Sequence, residues 1–325
     1  MDIFRIIAGL FGLLILLEAV TGFGIFWALC APARKPATLK TSEHIRRAAL
    51  REKNNAAFMA LAPEDVAIQS FDGRLTLRGW YLPADKPIKR FALLAHGHHA
   101  NGLNEFSHIT PFYHDTLGCN ILLPDHCGHG RSDGNWVGFG ALDWKNLCLW
   151  IDWLIERFGD DIEIILHGIS MGAATVLLLN ENDPPPQVKL VIEDCGFASE
   201  KAELRSAGRM ILGALEPLAL PAYPIALMLQ QLFAGYSAKE SDPLGGMANA
   251  KCPVLFIHGG KDTFVTTRFV YELFDACPTP KRLFVVPDAI HAFSYWVDPN
   301  GYNEVVTEFI EEHIGNVAEH AVVRA

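Results

Sequence analysis

The stretch Ile162-Glu163-Ile164-Ile165-Leu166-His167-Gly168-Ile169-Ser170-Met171-Gly172-Ala173-Ala174-Thr175-Val176-Leu177-Leu178-Leu179 decides the fold. Its first six residues are a short apolar run of strand type, and its last seven read as a buried helix. Between them stands Gly168-x-Ser170-x-Gly172. Strand, G-x-S-x-G, helix is the setting in which this serine is a nucleophile held on a sharp turn. A serine on such a turn is forced into strained dihedrals. Side chains at the flanking positions would meet the helix and the neighbouring strand, so both positions call for glycine. The turn lifts the hydroxyl clear of the backbone. The helix that starts there aims its free N–H groups and positive dipole end at the reacting centre.

A serine hydroxyl is a poor nucleophile at neutral pH and needs a general base, usually His, oriented by a carboxylate. In this topology the order along the chain is Ser, acid, His. Pro253-Val254-Leu255-Phe256-Ile257-His258-Gly259-Gly260-Lys261-Asp262 is a short strand, a glycine turn and an acid just past the strand's carboxyl end. That edge of a parallel sheet is where catalytic groups collect. Arg282-Leu283-Phe284-Val285-Val286-Pro287 is a further strand, and the loop after it carries His291. Asp262 could instead be a turn former capping the helix expected over 266–274. His291 could be one of thirteen ordinary histidines. Asp194, at the end of its own strand, is a second candidate acid. Order, spacing and position at strand ends favour Ser170, Asp262 and His291 together. An oxyanion hole needs two backbone N–H groups. Met171, next to the nucleophile, offers one. His98, in the loop after Phe91-Ala92-Leu93-Leu94-Ala95-His96-Gly97, offers the other, with His99 as the alternative.

A further strand, Ile121-Leu122-Leu123-Pro124, runs into the glycine-rich loop Asp125-His126-Cys127-Gly128-His129-Gly130-Arg131-Ser132-Asp133-Gly134. With His96-Gly97, the turn at Ser170, His258-Gly259-x-x-Asp262 and His291, this pattern resembles the α/β-hydrolase superfamily from about residue 66 onward. It is most similar to the serine-aminopeptidase-like or lysophospholipase-like hydrolases, which often carry an N-terminal membrane segment. The resemblance implies an α/β-hydrolase fold and a serine hydrolase acting on a carboxylic ester, thioester or small amide, with no cofactor and no metal. An acyltransferase on the same triad, or a non-catalytic binding protein on the same fold, are the alternatives. Ala173 departs from the third small glycine common in such relatives, and its small size keeps the turn feasible.

The residues point to the same architecture. Val66–Phe71 and Leu75–Leu82 alternate and are joined by Asp72-Gly73, a hairpin signal. Strands then recur near 91–96, 120–123, 162–167, 190–194, 254–258 and 282–286, with helices near 104–116, 141–158, 171–181, 266–275 and 301–314. An antiparallel hairpin followed by alternating units means an eight-stranded, mostly parallel sheet with helices on both faces. About 198–251 breaks the alternation. It is apolar, and Pro217, Pro221 and Pro224 cut it into short helices, so it reads as a small helical cap, or else as a cover for the sheet. Thr41 or Ser42 can cap a helix that Pro63 ends. The organisation expected is 1–33 an apolar anchor and flank, 34–63 a helical linker, and 64–325 the catalytic domain.

Asp and Glu number 37 against 27 Lys and Arg, a formal charge of −10, which disfavours nucleic acid as a partner. Seven cysteines without C-x-x-C spacing lean toward a reducing compartment. Seven histidines between His96 and His129 invite a metal reading, but His96-x-His98-His99 lacks helical i, i+4 spacing. Trp144, Trp150 and Trp153 recur on one helix and read as packing residues. From Ile6 to Leu29 the chain is almost wholly apolar, with Glu18 its one charge. That is long enough to cross a hydrocarbon core. A cleaved signal peptide is the rival, but Pro32 spoils the cleavage site and the basic start is weak. Packing of part of this segment on the enzyme near its mouth is a third option. Arg34, Lys35, Lys40, Arg46 and Arg47 follow the segment, against Arg5 before it, which sets the catalytic domain in the cytoplasm. The expected partners are therefore a membrane and a small-molecule or lipid-like acyl substrate.

Overall fold

The computed structural model describes residues 2–32 and 42–315. The basic residues Arg34, Lys35 and Lys40, the cap candidate Thr41 and the 33/34 boundary lie outside the described residues, as do the side chains of Arg46 and Arg47. Eight strands form one sheet: β1 (Glu64–Gln69), β2 (Thr76–Leu82), β3 (Arg90–Ala95), β4 (Asn120–Pro124), β5 (Glu163–Ile169), β6 (Val188–Asp194), β7 (Val254–Gly259) and β8 (Lys281–Val286). Their order is β1-β2-β4-β3-β5-β6-β7-β8. β2 runs antiparallel to β1 and β4, and every other pair is parallel. The helices are α1 (Asp2–Cys30), α2 (Ser42–Ala60), α3 (Gly102–Phe106), α4 (Asp143–Phe158), α5 (Met171–Glu181), α6 (Glu200–Leu212), α7 (Glu216–Ala219), α8 (Ala222–Phe233), α9 (Pro243–Gly246), α10 (Arg268–Ala276), α11 (Ser294–Val297) and α12 (Pro299–Ile314).

Strands covered on both faces must be apolar throughout, and β3, β4 and β7 are buried at every residue. α4, α5 and α10 pack one face through Trp150, Leu154, Val176 and Leu273. α3 and α12 pack the other through Phe106, Val306 and Phe309. The strand order reverses beside β3, because the chain passes outward to β4 and returns to β5. Such a switch point opens a crevice at the carboxyl ends of the flanking strands. The loop after β3 carries His98, and the turn after β5 carries Ser170.

One expected helix is broken. In place of a continuous 104–116, α3 ends at Phe106 and a single π turn follows over Phe112–Thr116. Pro111 is the cause: it has no N–H to give to residue 107, and its ring collides with that turn. The segment between β6 and β7 forms the short helices α6 to α9, with a 100° bend between Glu200–Ala219 and Ala222–Phe233.

Ile3–Cys30 is 28 residues long and holds an 18-residue window of mean hydropathy 2.3, so it is long and apolar enough to cross a membrane. Its two halves differ. Residues 3–17 are exposed, whereas Gly22, Phe26 and Cys30 are buried. The i, i+4, i+8 spacing puts those three on one face, and that face lies on α8. A Cβ on Gly22 would sit 2.7 Å from Ile225 Cβ, so only glycine lets the helices approach. The third option for this segment, packing on the enzyme, describes its second half.

Candidate active site

Ser170 sits between β5 and α5 at φ 57° and ψ −118°, in the left-handed region that costs a non-glycine residue strain energy. The flanking glycines are required sterically. A Cβ on Gly168 would lie 2.1 Å from the Gly172 carbonyl oxygen, and one on Gly172 would lie 1.9 Å from that of Ala95. Ala173 is buried and the turn accommodates its methyl group.

The turn points the Ser170 hydroxyl at His291, whose Nε2 lies 2.9 Å from Oγ. His291 Nδ1 lies 2.8 Å from Asp262 Oδ2. With its Nδ1–H donated to the carboxylate, the neutral imidazole leaves Nε2 free to accept from the serine. The other Asp262 oxygen accepts the backbone N–H groups of Phe264 and Val265, both at 3.0 Å. Burial pushes the Asp262 carboxyl up, but hydrogen bonds from His258 and His291 and their charge outweigh burial and hold it below its ordinary value. Asp262 is therefore an anion held rigidly on both oxygens.

His258 was named in the sequence only as part of the matching loop, and the structure gives it a contact with the acid. Its Nε2 lies 3.3 Å from Asp262 Oδ2 and 2.9 Å from the Val265 carbonyl. Burial lowers this imidazole, but Asp262, Glu193 and Val265 together hold it above its ordinary value. The signal was its place at the end of β7, four residues before the acid. Asp194, the second candidate acid, is engaged elsewhere: Tyr302 OH donates to Oδ2 at 3.0 Å, and Ser294 Oγ lies 3.4 Å from Oδ1. His167 lies between Tyr113 OH and Tyr302 OH, at 2.9 and 3.0 Å. This buried chain ties the ends of β5 and β6 to α12 beneath the serine.

Gly97 closes against the same turn, since a Cβ there would meet Ser170 Cβ at 3.2 Å. Met171 is the first residue of α5, and such N–H groups have no intrahelical partner. The His98 N–H makes no backbone–backbone hydrogen bond among the described residues. The side chains of this loop are fixed from an unexpected direction. His98 Nε2 donates to the Leu29 carbonyl at 2.9 Å, and the His99 side chain bonds the Ala28 carbonyl. Val137 N–H donates to the Cys30 carbonyl, and Ala31 N–H to that of Trp27, both at 2.9 Å. The last four carbonyls of a helix lack intrahelical partners, and those of α1 are all taken up, three of them by the domain around Ser170.

The remaining histidines brace loops. His96 Nδ1–H donates to the Gly97 carbonyl at 2.8 Å, leaving Nε2 to accept the His126 N–H at 2.9 Å. Burial pushes His126 and His129 down to about 3, so both are neutral. Among the described residues, the grouping with metal-ligand proximity is Cys195, Asp262 and His291, whose ligand atoms lie within 4.8 Å. Two of these three already form the hydrogen-bonded line to Ser170. The seven cysteines are free, six of them buried.

Residues 92–319 match the alpha/beta hydrolase family model. The chain belongs to that family, and its eight-stranded sheet is that family's fold. It is 30% identical to the Bacillus subtilis (strain 168) protein YqkD over 72% of this chain and 75% of that one. It is 25% identical to an alpha/beta hydrolase domain-containing protein, WAV2, of Arabidopsis thaliana, over 79% of this chain and 81% of that one. An esterase of Pyrococcus furiosus superposes with a TM-score of 0.64 at 20% identity, covering 87% of this chain and 98% of its own. An acylaminoacyl peptidase does so at 0.57 and 16%, covering 78% of this chain and 42% of its own. At those identities the likeness is one of fold. Family and fold together make this protein a hydrolase.

Proposed function

We propose that the protein is a serine hydrolase that cleaves carboxylic esters, or thioesters and small amides, through an acyl-enzyme. The observation that carries this reading is the continuous hydrogen-bonded line from Ser170 Oγ through His291 to Asp262. Ser170 Oγ attacks the carbonyl carbon while its proton passes to His291 Nε2. The backbone N–H groups of Met171 and His98 hold the oxyanion. His291 then gives that proton to the leaving oxygen, sulfur or nitrogen as its bond to carbon breaks. Water, deprotonated by His291, attacks the acyl carbon, and Ser170 departs with its proton restored. Asp262 fixes the imidazole tautomer and stabilises the imidazolium.

The helices α6 to α8, of which α8 is strongly apolar, form a cap, which favours apolar acyl substrates. α1 is an uncleaved membrane anchor, and the domain from about residue 64 onward is catalytic and faces the cytoplasm. Retention of α1 is supported by its docked half, because removing it would expose the Phe26 and Cys30 sockets and strand the donors on His98 and His99. The test is Ser170→Ala, which removes turnover and fluorophosphonate labelling while leaving the fold intact. Persistent labelling of that variant overturns the assignment. Activity on p-nitrophenyl esters of rising chain length, beside an aminopeptidase substrate, defines the bond and the acyl length. An added alcohol or amine acceptor separates hydrolysis from acyl transfer.

A further inference from the structure

We propose that the outer face formed by the last turn of α6, α7 and α8 is seated in the near leaflet of the bilayer that α1 crosses, so that α1 and this part of the cap form one membrane surface. The inference rests on the spanning reading of α1 and is independent of the triad. It begins with a length. The freely exposed part of α1, residues 3–17, rises about 22 Å at 1.5 Å per residue. A hydrocarbon core is about 30 Å thick and takes about 20 residues of helix. Counted from Ile3, the near boundary falls at about Phe23, where α1 is already docked.

At that level α1 and α8 are in direct contact. The Cβ position of Gly22 is 3.0 Å from the Ala222 carbonyl oxygen as well as pressed on Ile225. The Phe26 ring lies 5.9 Å from Phe233 and 5.0 Å from Trp136. A bilayer thick enough for α1 therefore takes in the flank of α8 as well.

That flank, α7 and the last turn of α6 are suited to such a medium, whereas Lys201, Arg205 and Arg209 keep the earlier turns of α6 in water. Ile211, Leu215, Leu218, Met228 and Leu232 are each more than half exposed. Scattered exposed leucines are ordinary, but a contiguous group marks an interaction surface. No charged residue occurs between Glu216 and Lys239. Glu216 itself is buried, facing Arg205 at 3.7 Å. Trp27, about half exposed, stands edge-on to Trp136 at 6.2 Å, at the depth where tryptophans collect at a membrane interface. Glu18 lies on the face that Gly22 and Phe26 present to the protein, and its exposure is intermediate. The loop of His98 and His99, bonded to the last turn of α1, then lies just beneath the headgroups. An acyl substrate reaches Ser170 from the leaflet and not through bulk water.

Single cysteines placed at Leu218, Ile211, Leu10 and Asp160 in full-length Cys148→Ser protein carry an NBD label, the other native thiols being buried. The protein is reconstituted in phosphatidylcholine vesicles containing acyl-chain nitroxide lipids. Leu10 reports the span itself, and Asp160, exposed in the loop before β5 at the opposite edge of the sheet, reports water. Labels at Leu218 and Ile211 are expected to be quenched at least about half as strongly as that at Leu10, and the label at Asp160 hardly at all. Quenching at Leu10 with none at Leu218 or Ile211 overturns the proposal and leaves the anchor standing. Quenching at none of the sites overturns both. A disulfide-linked dimer through Leu218→Cys without quenching assigns this face to a second copy and also overturns it. Each outcome is read without reference to hydrolysis.

Discussion

At the carboxyl ends of β5 to β7, Ser170, Asp194 and Asp262 sit within a web of short hydrogen bonds, and large apolar side chains are buried. In the helical layer of α1 and α6 to α8, Ile211 is 72%, Leu218 71% and Leu232 70% exposed. The first region is complete in itself: parallel strands covered on both faces, with each turn fixed by a steric requirement. The second exposes large apolar side chains, and in the reading proposed above a bilayer covers them. Substitutions that are severe in the first region are therefore expected to be mild in the second. The two meet where the last carbonyls of α1 accept from His98 and His99.

The sharpest test inside the first region sets two of its buried acids against each other. Asp262→Asn leaves His291 in the wrong tautomer and is expected to lower kcat by about 10⁴-fold with the fold retained. Asp194→Asn keeps an acceptor for Tyr302 and is expected to lower kcat by less than about tenfold. Equal losses in steady-state kinetics would return Asp194 to candidacy as the acid. A second test spans both regions. Gly172→Ala drives a methyl group into the Ala95 carbonyl and is expected to cost more than about 4 kcal/mol or prevent folding. Gly12→Ala meets nothing within 4 Å and is expected to favour helix by up to about 1 kcal/mol. Denaturation in detergent compares the two, and a stable Gly172→Ala protein would contradict the geometry of the turn.

The first region was legible because its constraints are local and repetitive. Apolar runs such as Phe91–Ala95 leave few choices of structure, and G-x-S-x-G followed by Ala173 to Leu179 specifies both a turn and a helix. Asp262 and His291 could be found by order because each ends a strand on the same sheet edge. Legibility stopped where long-range packing decides. The place of His258 at the end of β7 points toward Asp262 without showing that its Nε2 reaches Oδ2, and nothing near His98 reveals that its imidazole meets Leu29. The stripe Gly22, Phe26, Cys30 was a readable sign that one face of α1 is covered, yet hydropathy alone treats the whole segment alike. Pro111 was visible too, and the helix through 104–116 should have stopped there.

His98 tests how far the two regions are coupled. His98→Ala keeps the backbone N–H but removes the donor to the part-buried Leu29 carbonyl. A displacement of this loop is expected to lower kcat about tenfold with little change in KM. His98→Asn, which keeps a donor, is expected to recover part of that loss. A variant that alters KM alone would place His98 in substrate binding and not in positioning.

The smallest effect expected is on stability against pH, where the buried histidines and the buried carboxyls contribute with opposite sign. Burial pushes His126, His129 and His167 down to about 3 from an ordinary 6.5. Below pH 6.5 the unfolded chain takes up protons that the folded histidines refuse, so this stability is lost as pH falls from 6.5 toward 3. Burial pushes Glu200 and Glu203 of α6, with Glu193 on β6, up to about 8 from 4.5. These carboxyls hold protons that the unfolded chain has released, so their contribution is present at low pH and lost as pH rises through about 8. The two sets oppose each other between pH 4.5 and 6.5. Above 6.5 the unfolded histidines are neutral and the carboxyls act alone, so the melting temperature should decline from pH 7 to 9. Glu203→Gln, which cannot ionise, is expected to flatten that decline by roughly a few degrees while leaving the loss below pH 4.5 unchanged. A decline of the same slope in this variant would show that the alkaline loss arises through the other raised carboxyls, Glu181, Glu193 and Glu200, and not through Glu203.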